Sequence, residues 1–246
     1  EPLNLKKFIR EFDLPVIARY SKTGTKTLRL RASTADGGTV QAALGFSVRA
    51  LAAPAPDDTI QVAGGIPYLG GAASGEAYVY LAPGRTQIVN PAVVVEGFDL
   101  DNTMNWDELY ALLNGENLIE TLRADGYDAV VLNFTDATDY LQRNAFVLVD
   151  LLQQSRGIVG PQTTVALAGA SMGGLVSRYA LAYMETNGLP HPVRTFISFD
   201  APHLGADIPL GIQYWVNFFS SQSADAADFL ALLNRPAARQ MLVYHY

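Results

Sequence analysis

The sequence predicts an α/β fold with a mainly parallel, doubly wound sheet, and three observations support this. Short apolar runs alternate with amphipathic segments between residues 92 and 200, as they do where a parallel sheet has helices on both faces. Several of the runs are rich in valine, which is typical of buried parallel strands. A serine flanked by glycines, at 169–174, lies between one run and the next helical segment. Parallel strands end at a common edge, where ligands bind such sheets.

Composition limits the possible functions. The chain has 246 residues, of which 49% are hydrophobic, so it can bury a sizeable core and is not a disordered protein. Its net charge of −7 argues against nucleic acid as a partner. Cysteine is absent, which excludes disulfides, thiolate catalysis and cysteine-bound metals. We expect no cofactor and no metal, and we find no apolar stretch long enough to span a bilayer.

The first residue is Glu1 rather than methionine, which indicates a processed or trimmed chain. A removed signal peptide is one explanation, and it would favour a secreted or periplasmic protein. A trimmed chain is the other. Nothing in the sequence indicates the oligomeric state.

The chain divides into a β-rich extension, residues 1–75, and an α/β core, residues 76–246. Residues 27–51 alternate between apolar and polar around the turn Asp36-Gly37-Gly38, which predicts a β-hairpin. Segments rich in Pro, Ala or Gly then connect this part to the core. Within the core we expect a cap or lid segment at about 206–235.

The predicted core elements follow in a regular order. Asn105, with Glu108 three residues later, is typical of a helix start, and Asn114-Gly115 predicts a break in that helix. Strands are predicted at 77–81, 92–95, 128–134, 163–168 and 194–200, and further helices at 139–154, 175–184 and 224–233. Residues 241–244 also have a strand-like pattern.

Ser171 is the candidate nucleophile. The sequence Gly169-Ala170-Ser171-Met172-Gly173 matches the G-x-S-x-G turn that lifts a serine hydroxyl off the edge of a sheet. A side chain at Gly169 or Gly173 would collide with the neighbouring strand or helix. The alternative is a glycine-rich turn with a serine that caps the helix.

Two backbone N–H groups are candidates for the oxyanion hole. Met172 follows the nucleophile at the start of a helix, where the helix dipole favours negative charge. Phe98 lies in the loop after an earlier strand, and its N–H is our choice for the second donor. A plain strand-to-helix loop is the alternative at 95–99.

Residues 168–179 and 199–206 resemble the α/β-hydrolase superfamily, specifically its bacterial lipases and esterases. The second stretch contains a Pro-His-x-Gly turn that is similar to one in many lipases. The resemblance covers about residues 76–210, and the N-terminal extension lies outside it. It implies a carboxylic ester hydrolase with an acyl-enzyme at Ser171 and a triad in the order serine, acid, histidine.

The acid and the base are less clearly marked. Asp200 is the best acid in the chain, although it can equally serve to hydrogen-bond the turn 201–205. His203 matches a lipase residue that is usually not the base, so the resemblance implies a structural or substrate-binding role. His191, between two prolines, reads as a surface residue. His245 follows Ser171 in the chain, as the family's order requires, but no separate strand that carries the acid precedes it. We therefore expect the base beyond Tyr246, with a short closed fold using His245 as the alternative.

An aromatic segment follows the Pro-His turn. Tyr214, Trp215, Phe218 and Phe219 fit a lid or an acyl pocket, and they fit a core-packing helix equally well. The expected substrate is a small-molecule or lipid ester. Alternatives are an inactive binding module or fragment on the same fold, or a thioesterase, acyltransferase or peptidase, which share the fold and the serine turn.

Overall fold

The computed structural model describes residues 24–33, 37–48, 53–100, 102–160 and 163–242. The chain separates into two compact units, residues 1–52 and residues 53–246. In the first unit, strands β1 (Gly24–Ser33) and β2 (Thr39–Val48) pair antiparallel. Gly24 lies opposite Val48, and Ser33 lies opposite Thr39. The antiparallel pairing agrees with the predicted hairpin, whose turn includes Asp36, which lies outside the described residues.

The second unit contains a six-stranded sheet in the order β3-β4-β6-β5-β7-β8. β3 pairs antiparallel with β4, and β4 with β6, whereas the four strands β6, β5, β7 and β8 are parallel to one another. The fold class predicted from the sequence is confirmed. The strands are β3 (Asp58–Ala63), β4 (Ser74–Tyr80), β5 (Pro91–Val95), β6 (Asp128–Phe134), β7 (Val165–Ala170) and β8 (Val193–Phe199).

The boundary between the units differs from the sequence-based division at residue 75. β3 belongs to the main sheet because it pairs along its whole length with β4, from Asp58 opposite Val79 to Ala63 opposite Ser74. The second unit therefore includes residues 53–75.

Seven helices lie among the described residues. The predicted start after Asn105 is confirmed, since its side chain accepts hydrogen bonds from Asp107 and Glu108 N–H. The predicted break separates the first two helices. The helices are α1 (Trp106–Leu113), α2 (Leu118–Ala124), α3 (Leu141–Val159), α4 (Met172–Thr186), α5 (Leu210–Phe219), α6 (Ala224–Leu233) and α7 (Pro236–Met241).

The end of the described chain is helical rather than extended. Met241 ends α7, which Pro236 begins at a position where proline's fixed backbone angle suits a helix. Leu242 then forms a parallel bridge with Ala206, and residues 243–246 lie outside the described residues. In the described ranges, no helix is both long and apolar enough to cross a bilayer.

The sheet separates two apolar clusters. Helices α3 and α4 contribute to the larger cluster, in which Leu148, Leu152 and Met172 are fully buried. Helices α1 and α2 contribute to the other cluster, through Leu109, Tyr110 and Ile119. Every residue of β5 is buried. β5 thus lies at the centre of the sheet, and its C-terminal end points to the edge where β7 also ends.

Asp128 fixes the loop that leads into β5. Its buried carboxylate accepts hydrogen bonds from the N–H groups of Ala82, Val89 and Asn90 and forms an ion pair with Arg85 at 2.6 Å. Burial alone would raise the pKa of Asp128, but the backbone hydrogen bonds and Arg85 hold it below its ordinary value. The carboxylate stays ionised and ties β6 to residues 82–90.

Candidate active site

Ser171 occupies a sharp turn between β7 and α4. Its backbone angles, φ 53° and ψ −127°, are rare for a residue with a side chain. The Ser171 N–H donates to the carbonyl of Phe199 at 3.0 Å, and its carbonyl accepts from Gly174 N–H at 3.0 Å. The side chain is exposed and makes no capping hydrogen bond to the helix. The helix-cap alternative therefore does not describe this serine, whose hydroxyl makes no hydrogen bond to a described residue.

Close packing around the turn explains the glycines. A β-carbon at Gly169 would collide with the carbonyl of Gly173, and one at Gly173 would lie 2.5 Å from the carbonyl oxygens of Val95 and Glu96. Helix α4 thus starts directly against β5 and β7, as the sequence predicted. Its dipole points at the edge where Ser171 lies.

The loop after β5 lies beside the serine. A β-carbon built on Gly97 would lie 3.5 Å from Ser171 Cβ and 4.0 Å from its Oγ. Among the described residues, nothing accepts a hydrogen bond from the Phe98 N–H. Met172 N–H, in the first turn of α4, has no partner four residues earlier in the helix. The two sequence-predicted oxyanion donors are therefore on the two segments that flank Ser171.

Hydrogen bonds anchor this loop to the end of β6. Glu96 Oε1 accepts from Phe134 N–H at 3.1 Å, and Asp99 Oδ2 accepts from Met104 N–H at 2.8 Å. The Asn102 side chain donates to Thr135 O and accepts from Ala137 N–H. A loop held this firmly can present an N–H group in a fixed position.

Glu96 is a buried carboxyl group that the sequence reasoning missed. Its side chain is 6% exposed, and its Oε2 has no hydrogen-bond partner among the described residues. Burial raises the pKa of Glu96 to about 8, against the Phe134 hydrogen bond, which lowers it. The group is therefore mainly neutral at pH 7. The only signal in the sequence was an acidic residue directly after the apolar run 92–95.

The histidines lie in three different places. His203 Nε2 is 2.7 Å from Ser198 Oγ, and its buried Nδ1 has no partner among the described residues. His191 precedes β8 and lies 3.5 Å from Glu185. It is at the opposite edge of the parallel strands from Ser171, which follows β7. His245 lies outside the described residues.

Asp200 directly follows β8 and is exposed, with a left-handed φ of 46°. Its side chain makes no hydrogen bond to a described residue. The following turn is closed by backbone bonds instead, from His203 N–H to Ala201 O and from Gly205 N–H to Pro202 O. Asp200 shares the C-terminal edge of the sheet with Ser171, because β7 and β8 are parallel.

The aromatic segment forms helix α5, whose buried face is narrow. Gln213 and Val216 are buried, whereas Tyr214, Trp215 and Phe218 are exposed. Phe219 is half-buried, with its ring 5.0 Å from that of Trp215. The core-packing alternative therefore does not fit α5. In the described part of the chain, no group of three or more His, Asp or Glu side chains could hold a metal ion.

A family model described as "Putative serine esterase (DUF676)" matches residues 133–228. The match extends from the end of β6 into α6 and includes Ser171 and Asp200. This region resembles a serine esterase. The esterase-like region covers less than half of the chain, and it confirms the resemblance that the serine turn indicated. No curated protein matches the chain at a significant level.

Solved structures of esterases and lipases are similar at low identity. Est1E from Butyrivibrio proteoclasticus is 16% identical over 56% of this chain and 49% of its own, with a TM-score of 0.39. The Pyrobaculum calidifontis esterase is 14% identical over 77% and 58%, with a TM-score of 0.45. Candida antarctica lipase A in its closed state is 10% identical over 85% and 47%, with a TM-score of 0.41.

The chain thus spans about half of the length of Est1E and of the lipase. Similarities this weak do not bear on function.

Proposed function

We propose that this protein is a serine esterase that cleaves carboxylic esters through an acyl-enzyme on Ser171. The observation that carries the proposal is the strained, exposed and uncapped serine at the start of α4. Backbone strain of this kind costs about 1–3 kcal/mol and is usually retained only where function requires it. The loop at Gly97 supports the proposal, because it packs against the nucleophile and its next residue, Phe98, has an N–H group that donates to no described residue.

In the proposed reaction, Ser171 Oγ attacks the ester carbonyl carbon and gives up its proton to a base. The N–H groups of Met172 and Phe98 bind the negative oxygen of the tetrahedral intermediate. The alcohol leaves with the proton, and water then releases the acid by the same steps in reverse. Asp200 is the proposed acid that orients the base.

The proposed base is a histidine outside the described residues, either His245 or one that follows Tyr246. His203 is a poor candidate, because its Nε2 is already engaged with Ser198. We assign it instead to the substrate-binding turn. The exposed aromatic side chains of α5 are proposed to contact the apolar part of a small-molecule or lipid ester.

Labelling with a fluorophosphonate tests the nucleophile directly. We expect the full-length protein, which contains the base, to be labelled and its Ser171→Ala variant to lose the label. Ser177→Ala is the matched control, because Ser177 lies on the same helix but is buried. Labelling that persists in Ser171→Ala would refute the proposal.

A second experiment tests the base. We expect p-nitrophenyl ester hydrolysis to require either His245 or sequence after Tyr246. The present chain is therefore compared with its His245→Ala variant and with a chain that extends beyond Tyr246. If neither form turns over an ester, an inactive binding module is the better description. Transfer of the acyl group to thiols, amines or alcohols in preference to water would instead indicate a related acyl-transfer enzyme.

A further inference from the structure

A cavity of about 240 Å³ opens beside Ser171, on the side of the sheet that faces α1. Ser171 and Leu112 are both exposed, so its mouth lies next to the nucleophile. None of its lining residues comes from α5. The walls are mainly apolar, and α1 with the residues that lead into it provides Met104, Leu109, Leu112 and Leu113.

The cavity wall also has a polar part. Glu96, Gly97, Phe98 and Asp99 line it together with Ser171. Gly97 is also in contact with Ser171, so this loop and the serine meet at one end of the cavity. An ester carbonyl held at this end would leave one of its two substituents to extend between the leucines of α1.

We propose that this cavity binds the acyl group of the ester and that Leu109, Leu112 and Leu113 set its length. The proposal rests on the esterase function and adds its substrate class, neutral esters of short and medium unbranched acids. A methylene group takes about as much space as a water molecule in the liquid, about 30 Å³, so the cavity holds an acyl chain of about eight carbon atoms.

The charges around the cavity favour an ester over a free acid. Asp99 is a buried carboxylate on the wall, held by Met104 N–H, whereas the buried Glu96 beside it is mainly neutral at pH 7. A fatty-acid anion that entered would meet like charge in a site with little water. An uncharged chain would meet mainly apolar walls and no repulsion. The same repulsion would help the acid product to leave.

Binding to Ser171→Ala tests the cavity without any catalysis. Primary alcohols from 1-butanol to 1-decanol serve as probes, and isothermal titration calorimetry measures their dissociation constants. We expect affinity to rise about two- to fourfold per methylene group up to about eight carbons and then to level off. Octanoate should bind at least about tenfold more weakly than 1-octanol, because of Asp99.

Substitutions at Leu113 then locate the site. Leu113→Phe fills space and should move the cut-off to shorter alcohols, whereas Leu113→Ala should move it to longer ones. Leu118→Phe is the matched control, because Leu118 is exposed on α2 and does not line the cavity. It should leave the cut-off unchanged.

Two outcomes overturn the assignment: affinity that does not depend on chain length, or a cut-off that neither Leu113 variant moves. Fluorophosphonate labelling of Ser171 is measured in parallel. Labelling without length-dependent binding rejects only the cavity assignment. Length-dependent binding without labelling of the full-length protein rejects the esterase and leaves a site for neutral apolar molecules.

Discussion

Gly97 and Ser171 are in such close contact that a β-carbon on Gly97 would lie 3.5 Å from Ser171 Cβ and 4.0 Å from its Oγ. This is ordinary van der Waals contact for a methyl group, but it leaves no room for further atoms in that direction. The loop that carries the proposed oxyanion donor is therefore packed directly against the proposed nucleophile. Substitutions at position 97 therefore test whether the loop after β5 affects the reactivity of Ser171.

Gly97→Val is expected to reduce fluorophosphonate labelling of Ser171 by about tenfold or more, because its branched side chain would crowd the attacking hydroxyl. Gly97→Ala should retain most of the labelling, since its methyl group fits at 3.5 Å. Labelling rates of the two variants and of the unaltered protein give the comparison. Equal rates in Gly97→Val and the unaltered protein would show that this loop does not approach the reacting atoms.

Gly173→Ala is expected to lower the free energy of unfolding by about 3 kcal/mol or more. Its methyl group would meet the carbonyl oxygens of Val95 and Glu96 at 2.5 Å, so α4 would have to move away from β5. Gly157→Ala is the matched control, because that helix position is open. There we expect a gain of about 0.5–1 kcal/mol. Urea unfolding measures both, and similar effects in the two variants would contradict the packing described here.

Glu96→Gln should change how stability depends on pH. The pKa of Glu96 is about 8 in the folded protein, above its ordinary value of 4.5, so the folded state holds this proton more tightly. The free energy of unfolding of the unaltered protein therefore contains a contribution that is complete below about pH 4.5 and is lost as the pH rises to about 8.

The Gln side chain cannot ionise, and its oxygen can still accept from Phe134 N–H. The stability of the variant relative to the unaltered protein should thus rise by about 2–4 kcal/mol between pH 5 and pH 9. Urea unfolding at each pH measures this difference. Asp99 in the same loop and Tyr78 on β4 interact electrostatically with Glu96 and are retained in both proteins. A difference that stays constant with pH would show that Glu96 is ionised throughout.

Asp128→Asn is expected to lower the free energy of unfolding by about 2–4 kcal/mol. The amide nitrogen would face N–H donors, and Arg85 would lose its partner. Arg85→Gln should cost less, because the three backbone hydrogen bonds to Asp128 remain. Thermal and urea unfolding of both variants test this order. A larger loss in the free energy of unfolding for Arg85→Gln would show that the ion pair, rather than the backbone hydrogen bonds, provides most of the stabilisation.

The double variant Trp215→Ser with Phe218→Ser tests the surface of α5. Both side chains are exposed, so we expect the free energy of unfolding to change by less than about 1 kcal/mol. Hydrolysis of acetate esters with a long alcohol chain by an active form should fall several-fold, while hydrolysis of methyl acetate should not change. An equal fall in the hydrolysis of both esters would show that the exposed face of α5 does not bind the substrate.

The elements with local signals were predicted from the sequence. β5 and β6 are marked by runs of valine and alanine, and the turn at Ser171 is marked by glycines whose spacing reflects contacts within a few residues. β3 was missed as part of the sheet, because its half-polar sequence resembles that of the preceding hairpin. Its place depends on pairing with β4 across a glycine-rich connection.

The site itself was only partly predictable. The positions of the candidate residues Ser171, Met172 and Phe98 follow from the rule that parallel strands end at one edge. Glu96 could not be recognised as buried, because its hydrogen-bond partner, Phe134, lies on another strand and 38 residues away. The contribution of α1 to the cavity wall could not be predicted for a similar reason. The leucines of α1 have the pattern of an ordinary apolar helix face, and only the tertiary structure shows that there is space beside them.

The hydrogen bond from Ser171 N–H to Phe199 O has a practical consequence. Phe199 is the last residue of β8, the outermost strand of the sheet in the described part of the chain. The position of Ser171 relative to the sheet therefore depends on how stably β8 pairs with β7. Exchange of the Ser171 amide proton with deuterium would measure how often β8 separates from β7. A single backbone proton can thus report, without substrate or inhibitor, the fraction of molecules whose site is assembled.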